Sequence, residues 1–432
     1  MRVVSLFIFV FVAGCGVGSE DRAGMENASV SVVTALACGQ LLDVETKTVL
    51  RNVTIVVDGD RIQSVAESGA APAGARRIDL SDKVCLPGLM DMHSHVMMRE
   101  LVPLGEGSSA SLALNALMTL SEMLDRGFTT LRLPGDWDSE FGIVDVRDAV
   151  NSGEFPGPRL FVAGHKLGFH RYMKLSGIDA DVGYHKVEPG TEGVREAVRT
   201  QVEHGVDWVK FIADKGNLHT EGVVRIFDDE EVAAFVEEAH KHETPITAHA
   251  IGDDGALIAT LAGADTVEHG FYISKETAEE MKRRGVWLVP TLTVLDMFDD
   301  ENFDVSKTSM TQDDYDSVKD VYLKNIPYRD EAFKYAYQIG VKMAYGTDMI
   351  WPAYAAREFT YLVKRGVTHW DAIQMATINS AELLGMEDDL GSVSSGKIAD
   401  IVALEGDPLT DISAMERVRF VMQGGRVIRE DE

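Results

Sequence analysis

Eight short apolar runs, separated by amphipathic helical stretches, constrain the fold of this 432-residue chain more than any other feature. The runs lie at 88–93, 129–133, 160–163, 208–212, 246–249, 266–269, 287–291 and 342–346. Such alternation indicates βα units and a parallel sheet. Eight units over roughly 300 residues predict an α/β fold built on a (β/α)8 TIM-type barrel. A doubly wound open sheet is the alternative, but no glycine-rich phosphate loop follows the first run.

Both ends of the chain have the shorter pattern of β-strands. Between residues 30 and 86, two apolar runs flank Asp58-Gly59-Asp60, which is a hairpin signal. Strand-like runs return after about Leu390, at 399–404, 419–422 and 426–428. We therefore predict that residues 30–86 and 387–432 pair as one small β-sandwich, and that residues 87–386 form the barrel.

The first residues have the features of an export signal. Arg2 precedes an apolar run at 3–12 that is too short to span a bilayer, and small residues then lead to Cys15. This pattern resembles a bacterial lipobox, in which the cysteine is lipidated; an uncleaved anchor and a plain secretory signal with an incidental cysteine are the alternatives. We predict a signal peptide at 1–15 and a flexible tether at 16–29. The protein would then be an exported lipoprotein at the periplasmic or cell-surface face, held to the membrane only by lipid on Cys15.

The net charge limits the possible partners, and the remaining cysteines bear on the redox compartment. With 70 acidic and 41 basic residues, the formal net charge is −29. This argues against nucleic acid, because a surface that follows a phosphate backbone must be basic. If Cys15 carries lipid, Cys38 and Cys85 remain. They can pair in an oxidising compartment or stay as two buried free thiols in apolar strands, and both interpretations remain open.

Histidine and aspartate side chains stand where several predicted barrel strands end. His93 and His95 are two residues apart at the end of the first strand, so both imidazoles can face one ion. His249, His269 and Asp348 end or follow the fifth, sixth and eighth runs. Singly, each is as well explained as a capped core histidine or a helix N-cap aspartate. Together, at the end of a barrel where active sites lie, they predict a metal site.

Lys210 lies in the fourth run, at 208–212, which is otherwise apolar. A protonated lysine buried in a strand is costly, so it should be neutralised, paired or modified. A salt bridge would satisfy this requirement as well as a modification would.

Several stretches of the sequence are similar to motifs of the amidohydrolase superfamily. They are LPGLMDMHSH at 86–95, VEHG at 267–270, YGTD at 345–348, GSV at 391–393, GKIAD at 396–400 and GDPL at 406–409. The resemblance covers almost the whole chain after the predicted signal and tether. It implies a barrel with a β domain made from both chain ends, as the pattern of runs also predicts.

The resemblance also implies how the ligands are used. In binuclear members of the superfamily, the lysine that matches Lys210 is N6-carboxylated and bridges two divalent ions. One ion would then be held by His93, His95 and Asp348. The second would be held by His249 and His269. An unmodified lysine in a salt bridge, beside an empty or single-metal site, is the alternative. Imidazole and carboxylate ligands suit zinc, with other divalent transition ions as alternatives.

Such a centre implies hydrolysis. Two ions bridge and acidify a water to give hydroxide, one polarises the scissile carbonyl, and Asp348 passes the proton of the water to the leaving amine. Deaminases and imidazolonepropionases of the superfamily carry a glutamate shortly after the strand-five histidine, whereas Ala250-Ile251-Gly252-Asp253 follows His249. Together with Lys210, this absence favours the related Xaa-Pro dipeptidase-like branch over deamination. The predicted substrate is therefore a small amide, either a dipeptide or an N-acyl amino acid.

Two further side chains are candidate substrate contacts. His165 lies after the third run, where related peptidases carry a Gly-Gly-His, and a plain loop histidine is the alternative. Tyr272 closely follows His269 and is predicted either to reach a substrate carboxylate or to pack as an aromatic.

Two other functions compete with the leading prediction. A mononuclear hydrolase of cyclic amides or lactones would leave Lys210 unmodified. A non-catalytic ligand-binding lipoprotein is disfavoured because no ligand position is missing. A homo-oligomer is compatible with the resemblance, since barrels of this family often associate.

Overall fold

The computed structural model describes residues 33–97, 108–138, 140–168, 184–217, 222–308 and 311–431. The predicted signal peptide, the tether and Cys15 lie outside these residues. Within the described ranges, no helix is both long enough and apolar enough to cross a membrane.

The strands of the described residues are numbered in chain order. They are β1 (Thr34–Asp43), β2 (Thr48–Asp58), β3 (Arg61–Glu67), β4 (Arg76–Pro87), β5 (Leu89–Asp91), β6 (Phe128–Pro134), β7 (Arg159–Gly168), β8 (Tyr184–Lys186), β9 (Trp208–Ile212), β10 (Asp214–Asn217), β11 (Gly222–Arg225), β12 (Ile246–Ala250), β13 (Thr266–His269), β14 (Trp287–Val289), β15 (Ile401–Leu404), β16 (Val418–Gln423) and β17 (Arg426–Glu430).

The helices alternate with the barrel strands. They are α1 (Ser109–Asp125), α2 (Gly142–Asn151), α3 (Thr191–Glu203), α4 (Asp229–Lys241), α5 (Asp253–Ala262), α6 (Lys275–Arg284), α7 (Thr293–Asp296), α8 (Gln312–Ile339), α9 (Arg357–Lys364), α10 (His369–Met375) and α11 (Ile378–Leu383). Local sequence sets their ends. Asp228 and Glu231 form a capping box at the start of α4, while Gly263 and Gly285 end α5 and α6 in the left-handed conformation.

A curled parallel sheet forms the larger body of the protein. Its strands follow the order β14-β13-β12-β9-β7-β6-β5, and β8 pairs with β7. The predicted eighth strand is short, but its backbone closes the barrel. Met343 bridges Leu288 of β14, and Met349 bridges Ser94 just after β5, both in the parallel sense. The prediction of an α/β barrel is confirmed.

The two ends of the chain share a second sheet. Its order is β17-β16-β15-β4-β1-β2-β3, so β4 from the N-terminal segment lies between β1 and β15. One face contributes residues that are buried against one another, such as Leu36, Ile55 and Phe420. Predicted as a β-sandwich, the two ends of the chain are hydrogen-bonded as this one seven-stranded sheet. The other face packs on the barrel core through residues such as Leu86 and Val402.

The pairing of Cys38 and Cys85, which the sequence leaves open, is resolved by the structure. A disulfide joins Cys38 of β1 to Cys85 of the neighbouring strand β4, inside the apolar cluster of the second sheet. Both residues are almost fully buried. The bridge closes a loop between residues 47 positions apart and therefore ties β1 to β4 in the unfolded chain as well as in the folded one.

Candidate metal centre

The carboxyl ends of the barrel strands bring the six predicted ligands to one mouth. Lys210 of β9 pairs in register with Thr247 of β12, and His249 of β12 pairs with Glu268 of β13. Four of the six side chains are buried, namely His93, His95, Lys210 and His269. His249 and Asp348 are partly exposed, so the centre is open on one side.

His93, His95 and Asp348 form the tightest group. The Nε2 atom of His95 lies 2.9 Å from Oδ1 of Asp348, and Nε2 of His93 lies 3.4 Å from the same oxygen. One ligating atom from each residue lies within 4.8 Å of the others. Burial raises the pKa of Asp348, but the two imidazoles outweigh it and hold that pKa well below its ordinary value. The group thus offers an ionised carboxylate, which a cation requires.

His249 and His269 face each other across β12 and β13. Their ring centroids are 4.5 Å apart, and the His269 ring lies 5.0 Å from that of His93. Burial lowers the pKa of His249 to about 3, with the Lys210 ammonium as the next cause. Burial also lowers the pKa of His269 well below its ordinary value, with His249 adding to the effect. Both rings are therefore neutral at physiological pH, as metal ligands must be.

The amine of Lys210 is the unsatisfied group of the centre. The residue is 2% exposed, and among the described residues its Nζ has no hydrogen-bond partner. Burial lowers its pKa to about 8, against the opposing charge of Glu268. A buried cation without a hydrogen bond is costly, so a modification or a bound ligand that supplies negative charge would relieve it.

A buried ion pair between Arg132 and Glu268, which was not predicted from the sequence, supports the candidate metal centre. Glu268 accepts a hydrogen bond of 2.6 Å from Nδ1 of His93, which leaves Nε2 of that ring free for an ion. Arg132 pairs with the same carboxylate at 2.7 Å and donates to the carbonyl oxygen of Met92. Thr247 and Thr266 also donate to Glu268. The sequence held one signal for this pair, because Arg132 and Glu268 are each a lone charged residue in an apolar run, as Lys210 is.

Backbone conformation aims two of the ligands. His269, Thr291 and Asp348 have φ values of 76°, 47° and 55°, which are uncommon for residues with a side chain. Nδ1 of His269 lies 2.8 Å from the hydroxyl of Thr291, so that ring is also held by a partner. Near Asp348, the carboxylate of Asp91 accepts hydrogen bonds from both His93 and Thr347 and joins the first strand to the eighth.

A second buried lysine, also missed from the sequence, lies beside the centre. Lys166 of β7 is the in-register partner of Lys210. Its Nζ lies 3.6 Å from the centre of the Trp137 ring, and that ring packs edge-on against His95 at 4.7 Å. Burial lowers the pKa of Lys166 to about 7, although Asp136 and Asp348 act in the opposite direction.

The contacts of His165 within the described part of the chain are with residues outside the set of candidate ligands. Its ring lies 4.1 Å from that of Phe141 and 6.4 Å from that of His185, and neither belongs to the centre. Its backbone amide donates to Gln201 of α3. Burial lowers its pKa to about 4. Its part in substrate binding stays a prediction, and the residue of β7 that borders the centre is its neighbour Lys166.

Tyr272 follows β13 by three residues, and its hydroxyl donates to Asn325 of α8. Burial raises its pKa to about 12. The ring packs against an apolar cluster formed by Ile251, Phe271 and Leu295. Phe271 carries this cluster to within 5.6 Å of the His269 ring. Packing is therefore the role that the contacts of Tyr272 describe, and contact with a substrate stays a prediction.

Comparison with known proteins adds a family and several relatives. Residues 84–428 match the model of the Amidohydrolase family. Ochratoxinase from Aspergillus niger is 28% identical over 418 residues, which cover 88% of this chain and 83% of the relative. A solved Xaa-Pro dipeptidase with methionine in its active site has a TM-score of 0.80 at 31% identity, covering 91% of this chain and 99% of that one. A prolidase complexed with N-methylphosphonate-L-proline has a TM-score of 0.78 at 28% identity, covering 93% and 100%.

Proposed function

The chain belongs to the amidohydrolase family, and from that premise we propose that it is a metal-dependent hydrolase of dipeptides or N-acyl amino acids. The family and its prolidase-like neighbours support a hydrolase that acts on amide bonds. The finer proposal rests on one observation. Six side chains of ligand type converge on one mouth of the barrel, and the buried amine of Lys210 lies among them without a hydrogen bond from the described residues.

The residues present fit a pair of divalent ions. Zinc is the metal that suits these ligands best. The rings of His249 and His269 are neutral, and Asp348 is ionised. N6-carboxylation would turn Lys210 from an unsatisfied amine into an anion suited to bridge the pair. When bound, such ions acidify a water and polarise the scissile carbonyl.

The protein's own groups would then share the work. Asp348 is placed to accept the proton of the attacking water and to deliver it to the leaving amine, since its carboxylate is ionised and faces the open side. Glu268 keeps the proton of His93 on Nδ1, because an ionised carboxylate can only accept. The hydroxyl of Thr291 orients the ring of His269 through Nδ1, but a hydroxyl can donate as well as accept and so does not fix which ring nitrogen carries the proton.

The substrate class comes from a similar protein. The solved Xaa-Pro dipeptidase is named for a dipeptide substrate, and we extend that class to this chain.

The proposal is tested with a panel of dipeptides and N-acyl amino acids and a Lys210→Ala variant. We expect the wild-type protein to turn over members of the panel and to hold two ions per chain. The variant should lose activity by at least about 100-fold and hold fewer ions, because a bridging ligand is gone. Lys342→Ala, which removes an exposed lysine paired with Glu382, is the control. Full activity and two ions in Lys210→Ala would refute the bridging role.

A single-metal hydrolase of cyclic amides or lactones is the second candidate. One observation favours it: His93, His95 and Asp348 are the group of three within 4.8 Å among the described residues, and His249 and His269 lie outside that group. This candidate requires one ion per chain and an unmodified Lys210. Lactones and cyclic amides would then be turned over where the dipeptide panel is not.

We also propose that the protein is exported and anchored by lipid on Cys15. Self-association stays a prediction. The disulfide between Cys38 and Cys85 supports export, because such bonds persist in oxidising compartments. In a bacterial host, Cys15→Ser should move the protein from the membrane fraction to the soluble fraction. Cys38→Ser removes a cysteine without touching the lipobox and should leave the protein with the membranes. An unchanged membrane fraction for Cys15→Ser would rule out the lipid anchor.

A further inference from the structure

Lys166 lies at the same level of the barrel as Lys210, one strand away. The two are Cα partners in the parallel pairing of β7 with β9, so their side chains leave the sheet on the same face. Lys166 is 5% exposed, and its Nζ lies over the indole of Trp137. Since that indole packs against His95, Lys166 borders the centre on the side of the His95 and Asp348 ligands.

The surroundings of Lys166 are built around its side chain. Gly135 has a φ of +89°, and a Cβ there would come within 2.6 Å of Cγ of Lys166. The carboxylate of Asp136 is anchored by the backbone amides of Val96 and Met97, and its charge acts on Lys166. Burial acts against a charged Lys166, whereas an indole face and a nearby carboxylate both favour the cation.

We propose that Lys166 is a positioning residue that favours carboxylation of Lys210, an inference that rests on the proposed function. As two ammonium groups the lysines repel each other. In carboxylation, the neutral Lys210 amine attacks the carbon of dissolved CO2. An N–C bond forms, one C–O π pair moves onto oxygen, and a proton leaves the nitrogen for solvent. The product is an anion beside Lys166, so repulsion becomes attraction and the modified lysine is stabilised.

The experiment follows the carbamate directly rather than activity alone. Full-length protein is equilibrated with zinc and 13C-bicarbonate at fixed pH, and the carbamate carbon is observed by 13C NMR. The signal is assigned by its loss in Lys210→Ala. In Lys166→Met, we expect the bicarbonate concentration that gives half of the maximal carbamate signal to rise about tenfold. The reason is that the variant lacks the charge pair between Lys166 and the carbamate at the edge of a buried site. Lys186→Met removes an exposed lysine from the neighbouring strand β8 and should match the wild type.

The possible outcomes separate the inference from the function that it builds on. A wild-type protein without the carbamate signal would overturn the bridging lysine itself. A normal wild-type signal with an unchanged bicarbonate requirement in Lys166→Met would overturn only the role of Lys166. An unchanged carbamate signal with a raised KM would likewise overturn the role of Lys166 in carboxylation, and it would assign Lys166 to substrate binding. Should Lys166→Met not fold by circular dichroism, Lys166→Gln replaces it under the same criteria.

Discussion

Asp348→Asn is expected to lower kcat/KM on the best amide substrate by about 10³-fold or more. The amide keeps the shape of the carboxylate but cannot accept the proton of the attacking water at neutral pH. It also removes the negative charge that lies 2.9 Å from His95 and 3.4 Å from His93, so the ion held there should bind more weakly. Steady-state kinetics and metal content, measured on the same preparation, separate the two effects.

Asp400→Asn provides the matched control for Asp348→Asn. Asp400 is also a buried aspartate, but it pairs with Arg159 and accepts from the backbone of Gly424, in the region where the second sheet meets the barrel. Its replacement should reduce stability and leave kcat/KM within a few-fold of the wild type. If Asp348→Asn retained more than a tenth of wild-type activity at normal metal content, the carboxylate would not be the proton acceptor.

Arg132→Met is expected to lower the free energy of unfolding by about 3–5 kcal/mol, because it leaves the buried charge of Glu268 without its cation. Arg132 is completely buried and joins Met92, which follows β5, to Thr266 and Glu268 of β13. Urea unfolding at constant pH measures the loss. A weaker metal affinity should accompany it, since Glu268 also orients His93.

Two comparisons make the Arg132 result specific. Arg126→Met breaks a half-exposed pair with Glu122 and should cost no more than about 1 kcal/mol. The double variant Arg132→Met/Glu268→Gln removes both charges and should lose less than the two single variants together, because no unpaired charge stays buried. Equal losses for Arg132→Met and Arg126→Met would show that the buried pair does not support the barrel.

The sequence was sufficient for the barrel because periodicity and strand ends are local properties. Seven predicted runs correspond to paired strands, and the eighth closes the barrel through only two bridges. The hairpin of β10 and β11 was not predicted, because its strands are short and carry no regular alternation. The candidate ligands could be singled out because each is a polar or charged residue inside, at the end of or just after an apolar run. Their metal-binding roles stay predictions.

The supporting residues were not predictable, for reasons of geometry. In a regular strand, adjacent side chains point to opposite faces, so Glu268 and His269 should not both serve the same centre. The left-handed backbone of His269 breaks that alternation. On β7, the pairing with β9 shifts between Ala163 and Lys166. This irregularity determines that Lys166 rather than His165 reaches the centre, and no sequence pattern reports it.

The shared sheet has a consequence for how the protein is made. Strand β4 takes β1 as one neighbour and β15 as the other, and these partners are separated by more than 300 positions in the chain. During synthesis, β4 therefore presents an unpaired edge until the last strands have emerged. Such an edge is prone to join a foreign strand, and distant pairing is slow to form. We expect the nascent chain to depend on a holding chaperone until its final residues arrive.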